Sequence, residues 1–137
     1  MKTKLAHVCI ETVDLERTET FYQALGLQRR YEFRNLQKML VGFYLAFGNR
    51  TYIEVIKTRK PRQSGTVRHF AIECDDLEAA RNALAKLGVE TSEAVLETDL
   101  TRMVTCHDPN GIFIEIQQYT DDSMQIRGGV CTVDYVP

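Results

Sequence analysis

The 137-residue chain contains an internal repeat. Residues 5–16 (LAHVCIETVDLE) align with residues 67–78 (VRHFAIECDDLE), and identical positions include His7 with His69 and Glu11 with Glu73, 62 residues apart. Further along, YIEV at 52–55 aligns with FIEI at 113–116, 61 residues apart. Self-similarity at a fixed separation indicates a repeated supersecondary unit. The sequence therefore predicts two copies of one module, about 4–58 and 66–119, followed by a tail, 120–137.

Both modules show the same order of predicted elements, β-α-β-β-β. Asp14 and Asp76 can cap helices, apolar residues follow them at helical spacing, and Gly26 and Gly88 end the helices. Neither module can bury its sheet alone, so the predicted fold class is α+β. We expect a single domain, 1–137, in which two βαβββ modules form an open, partly closed β-barrel-like cavity. The predicted ranges are strands 4–12, 27–34, 39–47 and 51–57 around helix 14–25, then helix 76–87, strands 89–96, 101–107 and 112–119, and an added strand in 124–137.

Composition and charge exclude several classes of protein. The chain has 17 basic and 19 acidic residues and a net charge of −2. It therefore lacks the overall positive charge that favours binding of nucleic acid. Its longest apolar run, 39–47, is too short to span a bilayer, and its first residues lack the apolar segment of a secretion signal. The four cysteines lack metal-finger spacing and are predicted to be buried thiols. We therefore expect a cytoplasmic globular protein that acts on a small molecule and contacts neither membrane nor nucleic acid.

Each module contributes one histidine and one glutamate at equivalent positions, His7 with Glu54 and His69 with Glu115. Both glutamates lie inside apolar runs, where an unpartnered carboxylate would cost several kcal/mol. Two imidazoles and two carboxylates suit nickel, zinc, cobalt, iron or manganese. The sequence therefore predicts one divalent-metal site with these four ligands.

Two segments resemble a known superfamily. Residues 13–27 (VDLERTETFYQALGL) look like the first helix of the vicinal oxygen chelate superfamily, and residues 106–116 (CHDPNGIFIEI) look like its final hairpin. The resemblance spans residues 4–119 and implies the paired βαβββ fold. That fold hosts several chemistries.

The ligand pattern resembles the glyoxalase I branch, which implies a lyase or isomerase acting on a small carbonyl or thiol adduct through an enediolate. One divalent ion is implied, nickel or zinc first, with cobalt, manganese or iron as alternatives. Glu115 is expected to act as the catalytic base, with Glu54 as ligand or second proton shuttle. Extradiol dioxygenases and antibiotic-modifying thiol transferases remain alternatives, although they resemble two-His, one-Glu sites without a ligand at position 54. A metal-free resistance protein that binds small molecules is a third possibility.

Glu11 departs from the bacterial glyoxalase I pattern, which usually has Arg four residues after the first His. Strand alternation places His7, Cys9 and Glu11 on one face, so Glu11 is expected near the cavity mouth, either as a substrate-binding residue or paired with a local cation. The basic run 57–62 is either a solvated connector or a clamp for an anionic substrate. Open sheet edges predict a homodimer.

Overall fold

The computed structural model describes residues 7–60 and 69–128 and confirms two βαβββ modules. The chain divides into two units, one holding the first module with Asp108–Gly111 and the other holding the rest of the second module. The first module comprises β1 (His7–Thr12), α1 (Leu15–Ala24), β2 (Gln28–Arg34), β3 (Leu40–Ala46) and β4 (Tyr52–Lys57). The second comprises β5 (Phe70–Glu73), α2 (Leu77–Lys86), β6 (Val95–Leu96), β7 (Arg102–His107) and β8 (Phe113–Gln118), followed by α3 (Met124–Arg127).

Each module forms one four-stranded mixed sheet with the same strand order. The orders are β1-β4-β3-β2 and β5-β8-β7-β6. The first and last strands of each module pair in parallel, and the remaining pairs are antiparallel. The residues described form two separate sheets, with no closed barrel among them.

Capping residues define the ends of the two long helices, as the sequence predicts. The Asp14 carboxylate accepts a hydrogen bond from the Arg17 amide, and the Asp76 carboxylate accepts one from the Ala79 amide. These side chains satisfy amides that have no partner within the helix. Past the end of α1, Gly26 has a φ of +89°, a conformation that glycine adopts without strain.

Within the described residues of the first unit, helix α1 covers one face of the sheet, and we call the opposite face the open face. Phe43 and Leu45 on β3, with Ile53 and Val55 on β4, are fully buried. Because successive side chains on a strand point to opposite faces, the alternate residues of these strands lie on the open face. The candidate site residues of the first module belong to that open face.

The turn at Asp108–Gly111 has a structural role in the first unit. The Tyr22 hydroxyl donates to Asp108 Oδ2 at 3.1 Å, and the Asn110 amide donates to the Thr18 hydroxyl at 3.0 Å. Tyr22, Thr18 and Asp108 are buried, where polar groups need hydrogen-bond partners. This turn therefore anchors the inner face of α1.

Several sequence predictions are wrong in detail. Cys9 is exposed rather than buried, because it alternates with Ile10 and so lies on the open face. Cys74 is half-buried and Cys106 is buried, and the structure shows all three as free thiols. Cys131 lies outside the described residues.

The strand predicted at 89–96 is reduced to Val95–Leu96. The Ser92 hydroxyl accepts a hydrogen bond from the Thr105 amide at 2.9 Å, a role that a strand carbonyl would otherwise fill. A short polar side chain can thus compete with the regular ladder.

The tail begins with a helical turn, not the predicted strand. The Met124 amide donates to the Asp99 carbonyl at 2.9 Å, and the Gln125 side chain bonds both Asp99 and Thr101. These contacts hold residues 124–127 against the loop before β7. The β-branched stretch that suggested a strand, 130–136, lies outside the described residues.

Within the part of the chain that is described, no helix has the length and apolar character needed to cross a membrane.

Substituting Gly42→Ala is expected to lower the free energy of unfolding by about 1–3 kcal/mol, the usual range for overpacking. A Cβ at this position would clash with the Val55 carbonyl oxygen and lie 3.0 Å from the Phe33 ring. Urea denaturation measures the change. Gly48→Ala is the matched control, since a Cβ there meets nothing within 4 Å. Equal stability of both variants would contradict the packing of β2, β3 and β4 described above.

Candidate functional site

The first module brings His7 and Glu54 together. His7 Nε2 lies 3.2 Å from Glu54 Oε2. Strand β1 runs parallel to β4 with Cys9 opposite Glu54, and His7 lies two residues before Cys9 on the same face. The pairing therefore follows from the register of two adjacent strands.

The second module repeats the arrangement. His69 Nε2 lies 3.5 Å from Glu115 Oε1. Strand β5 runs parallel to β8 with Ala71 opposite Glu115, and His69 immediately precedes β5. The repeat in the sequence is thus a repeat of this imidazole–carboxylate contact.

Burial of the two glutamates is less complete than the sequence suggested. The side chains of Glu54 and Glu115 are 21% and 18% exposed. The apolar residues around them, Ile53, Val55, Ile114 and Ile116, are the fully buried ones. Strand alternation therefore puts each carboxylate on the opposite face from its apolar neighbours, where it is accessible to a ligand.

The Glu54 carboxylate contacts the side chains of Tyr44 and His7. The Tyr44 hydroxyl donates to Glu54 Oε2 at 3.3 Å, so this oxygen contacts both Tyr44 and His7. Burial raises the pKa of the Tyr44 phenol, with further contributions from a hydrogen bond with Tyr31 and from the Glu54 charge. Tyr44 therefore remains a protonated donor over the physiological range.

Cys9 faces the same carboxylate. Although the residue is exposed, partial burial of its sulfur raises the pKa of the thiol, and the charges of Glu54 and Glu11 raise it further. A raised pKa keeps the thiol protonated and makes it a poor nucleophile. Cys9 therefore lies beside the candidate site, but its thiol is not activated as a nucleophile.

Glu115 has different neighbours. The Gln117 side-chain amide donates to Glu115 Oε2 at 3.0 Å. On the adjacent strands, Ala71 and Thr105 stand opposite Glu115, where Cys9 and Tyr44 stand opposite Glu54. The two carboxylates are therefore equivalent in backbone position and unequal in surroundings.

Glu11 lies on the open face of β1, two residues beyond Cys9, as strand alternation predicts, and it is half-buried. Its role in substrate binding stays a prediction. In the basic run 57–62, Lys57, Arg59 and Lys60 are at the surface, and residues 61 and 62 lie outside the described part.

Each histidine–glutamate pair could supply two ligands to a divalent metal, since such ions bind imidazole nitrogens and carboxylates. Within residues 7–60 and 69–128, no group of three or more His, Cys, Asp or Glu side chains is gathered for a metal. The structure joins His7 to Glu54 and His69 to Glu115. A single site made from all four remains a prediction.

Tyr44 was not identified from the sequence, although its hydroxyl contacts a candidate ligand. We expect Tyr44→Phe to weaken cobalt binding by about tenfold, because loss of a hydrogen bond to a ligating side chain typically costs 10–100-fold in affinity. Isothermal titration calorimetry measures the change. Tyr52→Phe serves as control, because it removes a hydroxyl from the same face and leaves the Tyr44–Glu54 bond in place. Equal cobalt affinities of the two variants would show that the Tyr44 hydroxyl does not support the ligand.

Comparison with known proteins gives a family match and many structural matches. The family model described as "Glyoxalase/Bleomycin resistance protein/Dioxygenase superfamily" matches residues 4–116. No curated protein sequence is significantly similar to the chain.

Solved structures with the same fold include proteins of different activity. An antibiotic binding protein, TnmS3 from Streptomyces sp. CB03234, has a TM-score of 0.69 and 19% identity, covering 87% of this chain and 98% of that one. A variant of the fosfomycin resistance protein FosX from Listeria monocytogenes, complexed with Mn(II) and a dihydroxypropylphosphonic acid, has a TM-score of 0.68 and 16% identity, covering 85% and 93%. A lactoylglutathione lyase from Agrobacterium tumefaciens has a TM-score of 0.61 and 15% identity, covering 85% and 94%. At these identities the likeness concerns the fold alone.

Proposed function

Since this chain belongs to the glyoxalase/bleomycin resistance protein/dioxygenase superfamily, we propose that it is a metal-dependent lyase or isomerase of the glyoxalase I type. Its substrate would be a small carbonyl compound or its thiol adduct. The observation that carries the proposal is the contact of a carboxylate with a histidine in both modules, at 3.2 Å and 3.5 Å. A carboxylate at position 54 is the feature that favours this branch over the two-His, one-Glu branches.

The structural neighbours support metal use in this fold without fixing the reaction. One neighbour was solved with Mn(II), and another is a lactoylglutathione lyase. For this chain, His7, Glu54, His69 and Glu115 would hold one divalent ion, nickel or zinc first. When bound, such an ion supplies Lewis-acid stabilisation of negative charge on substrate oxygens.

The protein's own chemistry is proton transfer between two adjacent carbon atoms. A carboxylate next to the substrate takes the proton from the carbon beside the carbonyl and returns it to the neighbouring carbon. We assign this role to Glu115. Its Oε2 is oriented by the Gln117 amide, and its Oε1 faces His69.

Glu54 is the better candidate for a fixed ligand. A single oxygen, Oε2, contacts both the His7 imidazole and the Tyr44 hydroxyl. At the equivalent position opposite Glu115 stands Thr105 in place of the phenol. The different surroundings thus support different roles for two residues in equivalent positions.

A direct assay tests this proposal. The protein, freed of metal and then loaded with nickel, cobalt or zinc, is mixed with adducts of methylglyoxal or phenylglyoxal with glutathione or with 2-mercaptoethanol. The uncharged thiol avoids repulsion between Glu11 and the carboxylates of glutathione. We expect metal-dependent formation of a 2-hydroxy thioester, followed by NMR, with at least one adduct. Absence of isomerisation with all of these adducts would refute the proposal, and oxygen uptake with ferrous iron would favour a dioxygenase.

A homodimer is part of the same proposal. Strand β2 and the two-residue β6 form sheet edges in the described structure, and association covers such edges. Sedimentation at micromolar concentration is expected to give a species of twice 15.7 kDa. A single species of 15.7 kDa would contradict it.

A further inference from the structure

Four aromatic rings lie together on the open face of the first sheet. The Tyr31 and Tyr44 rings are stacked, with centroids 4.5 Å apart and planes 20° apart. Phe33 lies 5.5 Å from Tyr31 and 5.8 Å from Tyr44, and Tyr52 lies 5.7 Å from Tyr44. We call these four residues the aromatic platform.

The aromatic platform adjoins the first imidazole–carboxylate pair. The His7 ring is 5.4 Å from the Tyr44 ring, and the Tyr44 hydroxyl reaches Glu54. A small molecule that contacts His7 and Glu54 therefore has aromatic rings beside it. Tyr31 remains 47% exposed in spite of its stacking on Tyr44, which leaves ring surface available to a ligand.

Stability of the sheet alone does not require the Tyr44 ring. Cross-strand aromatic pairs do stabilise sheets, and Phe33 packs beside Gly42. However, the second sheet forms the same strand order with Thr105 opposite Glu115, where the first has Tyr44 opposite Glu54. The fold accommodates a small polar side chain at this position, so the Tyr44 ring at the centre of the platform is an addition to it.

The physical chemistry of the platform indicates its ligand. Aromatic rings prefer offset-stacked or edge-to-face contact with other rings, which adds to the gain from burying their area. Among the described residues, the carboxylates of Glu54 and Glu11 lie on the same face as the rings, and their charges disfavour an anionic group. A planar ring without negative charge is the chemistry that satisfies both features.

We infer that the substrate carries an aromatic ring without negative charge and that this ring stacks on the platform of Tyr31, Phe33, Tyr44 and Tyr52. The inference names a substrate class for the proposed function. Its statement about catalysis rests on that proposed function. The reacting carbonyl would then lie next to the ring, near His7 and Glu54. Binding of the ring itself is a separate property and is measured separately.

Titration with 2-naphthol, followed by amide chemical shifts of the ¹⁵N-labelled protein, tests this inference. The titration is made on metal-free protein in EDTA and on zinc-loaded protein. We expect saturable shifts in β2 and β3 in at least one sample, and weaker binding of the saturated analogue, decahydro-2-naphthol. Tyr31→Leu is expected to weaken 2-naphthol binding by about tenfold, because it keeps apolar area but removes the ring.

Two further variants make the result specific. Tyr31→Phe keeps the ring and should bind 2-naphthol more tightly than Tyr31→Leu does, which separates the ring from the hydroxyl. Leu36→Ala removes a fully exposed apolar side chain from the neighbouring turn and should also have no effect. Thermal unfolding verifies that each variant is folded.

The inference is overturned if 2-naphthol shifts no amides of β2 and β3 in either sample. It is also overturned if the saturated analogue binds equally well, or if Tyr31→Leu binds as the wild type does. These outcomes differ from failure of the proposed function. If no metal binds but the ring-dependent shifts occur, the lyase proposal fails and the aromatic binding site stands.

Discussion

Alanine in place of either His7 or His69 is expected to lower the affinity for nickel or cobalt by more than about 100-fold. Residues that hydrogen-bond to a metal ligand already contribute 10–100-fold each to metal affinity. Loss of a ligand itself should lower the affinity by more than that. Both side chains are about two-fifths exposed (41% and 42%), so their removal leaves no buried cavity. Far-UV circular dichroism should stay near that of the wild type while equilibrium dialysis shows the loss of metal.

His107→Ala is the matched control for these variants. His107 is the third histidine of the chain, at the exposed end of β7, where it packs against Phe113. It adjoins the second module's candidate pair, because Phe113 also contacts the His69 ring. Metal affinity should remain within about threefold of the wild type in this control. Unchanged metal binding in both His7→Ala and His69→Ala would remove these residues from the ligand set.

Glu115→Gln is expected to lower turnover by about 10²–10⁴-fold, the usual contribution of a positioned general base. Glutamine keeps the size and one oxygen able to bind metal, but it cannot accept the proton. Metal should still bind, several-fold more weakly, since the other three predicted ligands remain. Turnover is measured at saturating substrate with metal content determined in the same samples.

Glu54→Gln is the natural comparison, since it makes the same chemical change at the equivalent position of the other module. We expect it to retain more activity, because the proposal makes Glu54 a ligand, and glutamine keeps one oxygen able to bind metal. The opposite ranking would assign the base to Glu54. Losses below about threefold in both variants would mean that neither carboxylate moves the proton.

The repeat made most of the fold predictable from sequence. Asp14 and Gly26 mark the ends of α1 through local chemistry, and Asp76 and Gly88 do so for α2. The contact between His7 and Glu54 was also foreseeable, since the same residue types recur at nearly the same separation in the second module.

Other features depend on contacts between distant residues. The exposure of Cys9 follows from which face of β1 the helix covers, and the runs of apolar residues around Glu54 and Glu115 conceal the fact that only alternate members are buried. The stacking of Tyr31 on Tyr44 depends on the register of β2 against β3, which shifts between Arg29 and Tyr31. A shift of this kind leaves no mark in hydrophobic periodicity.

Metal stoichiometry tests the central claim most directly. The proposal that His7, Glu54, His69 and Glu115 bind one shared ion predicts one nickel or cobalt per chain, whether the four ligands come from one chain or two. Both His7→Ala and His69→Ala should lose that same ion, as measured by equilibrium dialysis and metal analysis. Two ions per chain, one lost in each variant, would mean two independent sites. No bound ion at all would contradict the metal-dependent function.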